Sequence, residues 1–184
     1  VGTVQHIVPF VRQAGLLEAS GMALTDIGIA FHGLNQQSPT LFPEAMHHLL
    51  YTVHAFDEAK RFSWAYARVV DALWTSAERT LDSEATARLV GIVVEEAAQT
   101  FDVPVEQIAF SRDSVRGVLN WLRALEPPSV TKDSANDTFR RRYFCPAVTL
   151  LWAVDFLYRV TPTPYGVRMF LTPERIEGLC KLCV

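Results

Sequence analysis

Apolar residues recur along most of the chain at intervals of three and four, the signature of helices that bury one face. Val4, Ile7, Val8, Val11 and Ala14 share such a face, and Gly15 interrupts it before Leu16-Leu17, so a helix ends there. Ser20-Gly21 then sits between short apolar flanks as a turn centre, and Thr25-Asp26 can cap a new helix through Gly28 to Phe31. The expected order is helix, short hairpin, helix. Pro43 and Glu44 open the next helix, with Ala45, Met46, Leu49, Leu50 and Val53 as its stripe. A following helix, Phe62 to Trp74, carries so many aromatic residues that much of it must be buried.

Asp82-Ser83-Glu84 starts a long helix to about Thr100, which Val103-Pro104 breaks, and Pro104 introduces a short helix from Val105 to Phe110. Ser111 caps a helix from Arg112 to Leu125, and Glu126-Pro127-Pro128 stops it. From Ser129 to Thr138 the composition turns to Ser, Thr, Asp, Asn and Lys, which reads as a solvated loop and the best internal boundary. Pro146 starts an apolar helix to about Val160, and Thr172-Pro173-Glu174 caps a last one. The fold class expected is mainly α: a helical core over residues 1–128, a loop at 129–139, and C-terminal helices at 140–184 packed on the same core.

A chain of 184 residues with 49% hydrophobic and 20% charged side chains has the balance of a globular domain able to bury a core. Net charge of −3 argues against a protein that coats nucleic acid through its overall field, so any such contact must come from a local patch. The most apolar stretch, Pro146 to Tyr158, is interrupted by Asp155 and is too short to cross a bilayer, so no membrane partner is expected. Three cysteines, clustered late, suit a reducing compartment and a cytoplasmic location. The chain opens on Val1 and closes on apolar Leu182-Cys183-Val184, which leads us to expect part of a longer polypeptide.

Candidate chemistry is sparse. His47 and His54 share a helix face but stand about 10.5 Å apart along the axis, too far for one metal ion, and His48 points elsewhere. Cys180 and Cys183 form Cys-x-x-Cys, which can serve as a redox pair or as half of a zinc site that Cys145 and a further residue would complete; as an apolar stripe with Ile176 and Leu179 they read as core. Glu95-Glu96 diverge by about 100° on a helix and cannot flank one substrate bond. Gly-rich phosphate loops, nucleophile elbows and zinc-protease helices are absent from the sequence. The expectation is a non-enzyme without a cofactor.

The arginines are more informative. Arg112, Arg116 and Arg123 project within about 40° of one another on one helix, with Asn120 beside them, while Val115, Val118 and Leu122 face elsewhere. Arginine and asparagine make the bidentate contacts that read phosphate, guanine and adenine, so this is a candidate recognition helix. An ordinary solvated helix face would have the same pattern. Arg140-Arg141-Arg142, followed by Tyr143-Phe144, forms a second basic cluster that can clamp a nucleic-acid backbone while an aromatic ring stacks. Three consecutive arginines cannot all point one way, so at least one is expected in an internal ion pair.

Val11-Arg12-Gln13-Ala14-Gly15-Leu16-Leu17 followed by Leu24-Thr25-Asp26-Ile27-Gly28 resembles the closing half of a winged-helix domain, in which a helix, a small wing and a further helix follow in order. Ser111 to Leu125 is similar to a second such segment. The resemblance implies a winged-helix-like unit with a short β-wing near the N-terminus. More broadly, the order of Leu24-Thr25-Asp26-Ile27-Gly28, His47-His48-Leu49-Leu50-Tyr51, Phe62-Ser63-Trp64, Asn120-Trp121-Leu122 and Arg141-Arg142-Tyr143-Phe144-Cys145-Pro146 resembles an uncharacterised helical bacterial family, the domain of unknown function 4007 type. Its members are often encoded near DNA-modification and phage-defence genes. The resemblance implies a non-catalytic DNA-binding or DNA-proximal accessory module of a multi-protein system. The alternative is a protein-interaction scaffold, or an oligomerisation domain, without nucleic-acid contact.

Overall fold

The computed structural model describes residues 2–133 and 136–184, with side chains from Ile7 onward; Val4 of the first apolar stripe, and Ser134 and Ala135 of the polar stretch, lie outside what is described in this sense. Among the described residues the chain is mainly helical with a small antiparallel sheet. The helices are α1 (Gly2–Gln13), α2 (Asp26–Gln37), α3 (Phe42–Thr52), α4 (Arg61–Trp74), α5 (Ser83–Phe101), α6 (Arg112–Ala124), α7 (Ala147–Val160) and α8 (Pro173–Cys183). The strands are β1 (Glu78–Leu81), β2 (Val130–Asp133) and β3 (Asn136–Arg140).

The joint between α1 and α2 explains its own sequence. Gly15 and Gly21 both take positive φ, 77° and 78°, which a glycine adopts without steric cost. Arg12 ties the loop down by donating to the carbonyls of Glu18 at 3.0 Å and Gly21 at 2.7 Å. Thr25 then caps α2, its Oγ1 accepting from the Gly28 N–H at 3.0 Å and donating to the Gly15 carbonyl at 2.6 Å. Any Cβ on Gly28 would collide with the Leu16 carbonyl oxygen, so this position requires glycine. Between the helices the pairing is a single bridge, Leu17 opposite Leu24, and α2 runs beyond Phe31 to Gln37.

The sheet forms elsewhere. β3 is its central strand, flanked by β1 and β2, with Phe139 opposite both Arg79 and Val130. The stretch expected as a solvated loop is therefore a hairpin. Its polar residues mostly occupy outward positions, while Val130 and Phe139 are fully buried against the main core. Two apolar anchors outweigh a polar composition because only alternate side chains of a strand need to be apolar. The short helix expected from Val105 to Phe110 is a single 3-10 turn, Val105–Gln107, since Ile108 is already extended.

The main core joins Met46 and Leu50 of α3, Val69, Val70 and Leu73 of α4, Leu89 and Val93 of α5, and Val115, Leu119 and Leu122 of α6. A second cluster, Ala153 and Leu157 of α7 with Leu179 and Leu182 of α8, packs against Tyr51. The C-terminal helices thus meet the rest of the chain chiefly along α3.

Candidate nucleic-acid interface

α6 is sharply two-faced. Val115, Val118, Leu119 and Leu122 are buried, whereas Arg112, Asp113, Arg116, Gly117 and Asn120 are exposed. The chain turns into this helix at Ser111, whose backbone N–H donates to Ser114 Oγ at 3.2 Å. Arg112 reaches Ser83 at the start of α5, at 3.1 Å. Arg116 pairs with Asp113 at 2.7 Å in open solvent, a contact that water screens and that another ligand can displace. Arg123 is held more firmly: it donates to Asp137 of β3 and to Asn120 Oδ1, each at 2.6 Å. The predicted stripe is therefore brought together, its first half exposed with partners on α5 and α6 and its second half bound to the hairpin. Lys132, exposed on β2 in register with Asp137, adds a cation that helix periodicity does not find.

The second basic cluster is divided among three environments. Arg140 is exposed and bridges to Glu78 at 2.9 Å, directly opposite it in the sheet. Arg141 lies over the Trp74 ring, 4.4 Å from its centroid, and donates to the Trp74 carbonyl. Arg142 is buried, its side chain 1% exposed, and forms a two-pronged pair with fully buried Glu44 at 2.6 and 2.9 Å. It also donates to the Cys183 carbonyl at 2.8 Å, and its backbone N–H donates to the Val184 carbonyl at 3.0 Å. Arg142 is thus corrected from a nucleic-acid contact to the internal ion pair expected of one arginine in the triplet. A guanidinium this deep survives only with every donor engaged, and its partners come from α3 and the ends of the chain's last elements.

Glu44 is the partner that sequence reasoning missed. Its one signal is that it is the only carboxylate in a largely apolar helix, at the start, where the helix dipole also favours it. The Glu126 N–H and Thr149 Oγ1 donate to it at 3.2 and 3.4 Å, so one carboxylate joins α3, the segment after α6, and α7.

His47 and His48 are interior packing groups. His47 is fully buried, its Nδ1 2.8 Å from Tyr66 Oη and its Nε2 without a hydrogen-bond partner among the described residues. Burial, aided by the Arg142 charge, pulls its pKa down to about 3, so it is neutral at physiological pH. His48, among Trp152 and Phe156, is lowered by burial to about 4. Burial also raises the Tyr51 and Tyr66 phenols, with Asp71 adding to the effect at Tyr51. Tyr51 donates to Asp71 at 2.8 Å, and Asp71 also pairs with Arg68 and Lys181. Cys183 is pushed up to about 12, first by burial and then by neighbouring Cys145, which makes it a poor thiolate nucleophile. Among the described residues no three His, Cys, Asp or Glu side chains converge as metal ligands; Cys145, Cys180 and Cys183 are free thiols. No described helix is long and apolar enough to cross a membrane.

Comparison with known protein families, with curated proteins and with solved structures returns no significant match.

Proposed function

We propose that the chain is a non-catalytic DNA-binding module in which residues 61–140 act as a winged helix, α6 entering the major groove and the β2–β3 hairpin lying along the flanking backbone. The observation that carries this reading is the element order. Helix α4, strand β1, helices α5 and α6, then the β2–β3 hairpin form a sheet ordered β1-β3-β2, which is winged-helix connectivity. Arg112, Arg116 and Asn120 project from the outer face of α6, and Arg123, Lys132 and Arg140 stand toward the hairpin. Phosphate contacts would position the module and Asn120 with Arg116 would read base edges. The family resemblance adds a setting, an accessory role in bacterial DNA modification or defence. Binding to short duplex DNA across a salt series tests the reading, with an Arg112→Ala/Arg116→Ala variant alongside. Affinity should fall steeply with salt, and the variant should bind more weakly with a salt slope reduced by about 2. Absence of binding at low salt by the folded chain rejects it.

A second reading, a protein-interaction module, is favoured by the outer side of α7. Leu150, Leu151 and Val154 form an exposed apolar stripe, with Tyr143, Phe144 and Phe170 exposed as well. An exposed apolar stripe of this kind marks an interaction surface. Sedimentation of the wild type and of Leu151→Glu distinguishes the readings: self-association abolished by the variant, without DNA binding, supports a scaffold.

A further inference from the structure

A cavity of about 610 Å³ opens between α1, α4, the end of α5, the connection from Val103 to Phe110, and α6. Its wall is mostly apolar and rich in aromatic rings, among them Phe62, Trp64, Phe101, Phe110 and Trp121. Rings within the wall brace one another: Phe10 meets Phe62 edge-on at 5.3 Å, and Trp64 meets Phe101 edge-on at 5.1 Å. Protein interiors are otherwise packed like organic crystals, with few voids larger than a water molecule. This space falls within the range of pockets that take small molecules, roughly 300–1,000 Å³.

The polar groups in the wall are few and define the ligand further. Arg61, exposed at the rim, is its one charged side chain; its guanidinium lies 4.8 Å from the Phe101 ring centroid and has no ion-pair partner among the described residues. Gln13, Gln107 and Ser114 supply neutral hydrogen-bonding groups. We infer that the cavity binds a small planar aromatic molecule bearing one anionic group, its rings among Trp64, Phe101 and Trp121 and its anion against Arg61. An unpaired guanidinium beside aromatic faces selects a carboxylate or sulfonate over an amine. Ser114, Gly117 and Val118 belong to α6, so the occupant touches the helix assigned to DNA, although its binding does not depend on that assignment.

The probe is 2-naphthoate, with 2-naphthamide as its uncharged counterpart, titrated into the full chain by calorimetry and by tryptophan fluorescence. Naphthoate should bind saturably and more tightly than the amide. Arg61→Gln should weaken naphthoate about tenfold and leave naphthamide within about twofold, the cost of one charge-assisted contact. Gly117→Leu provides a variant that keeps its fold, because a Cβ there meets no atom within 4 Å. Its side chain would project into the space and weaken binding of both probes at least tenfold. The inference is overturned if naphthoate does not bind saturably, if Gly117→Leu leaves binding unchanged, or if naphthoate and naphthamide bind alike and Arg61→Gln changes neither. DNA titrations are read separately, so failure of one assignment leaves the other measurable.

Discussion

The outer face of α6 and the Arg142–Glu44 centre are both built on arginine–carboxylate pairs, and they differ in almost everything else. Arg116 and Asp113 are 69% and 85% exposed, one turn apart on the same helix, and each is open to solvent. Arg142 and Glu44 are at 1% and 0%, brought together across 98 positions of sequence, with backbone carbonyls completing the guanidinium shell. Attraction between opposite charges is common to both, so what sets them apart is the alternative open to each group when its partner is lost. An exposed arginine returns to water or turns to a phosphate; a buried one has nowhere to go.

The largest effect therefore belongs to the interior pair. Arg142→Ala and Glu44→Ala should each lower unfolding free energy by about 3–5 kcal/mol, because each strands a buried charge. Replacing both by methionine should cost less than either single change. Denaturant titration checks this, and a loss below about 0.5 kcal/mol in Arg142→Ala would contradict the burial argument.

Acid should expose the same interior by another route. His47 is held neutral with a pKa of about 3 in the folded chain against 6.5 in the unfolded one. The unfolded state binds the extra proton, so stability present at pH 7 is lost as pH falls from 6.5 toward 3. About 2 kcal/mol should be gone by pH 5 from His47 alone, with His48 acting in the same direction. The slope of unfolding free energy against pH should shrink in His47→Gln.

Two glycines sharpen the contrast in sign. Gly28→Ala forces a methyl group into the Leu16 carbonyl and should destabilise by about 1–3 kcal/mol. Gly117→Ala, on the open face of α6, should be stabilising by about 0.5–1 kcal/mol through helix propensity. Thermal melts of the two variants should move in opposite directions. The smallest effect is at the exposed pair: Arg116→Ala should alter stability by less than about 0.5 kcal/mol while weakening DNA binding. A large loss of stability there would reassign α6's arginines to the architecture.

Much of the helical framework was legible because its determinants are local. Thr25, Asp82, Ser111 and Thr172 mark helix starts in the sequence, and helices begin immediately after each. The stripe of Arg112, Arg116, Asn120 and Arg123 follows from 3.6-residue periodicity alone. β1 was invisible: Glu-Arg-Thr-Leu has one apolar anchor, and its pairing partner lies about 60 positions later, with Glu78 opposite Arg140. The hairpin was hidden for a related reason, its identity resting on Val130 and Phe139 amid polar neighbours.

Sequence by itself determined the mainly helical class, most helix boundaries and the two faces of α6, since hydrogen bonds and caps within a helix connect residues four apart or closer. Only the tertiary structure decided the sheet order, the separate fates of Arg140, Arg141 and Arg142, and the aromatic cavity beside α6. Each depends on which distant surface a residue meets, and burial fixes that choice through the cost of leaving a polar group unpaired or a core unfilled.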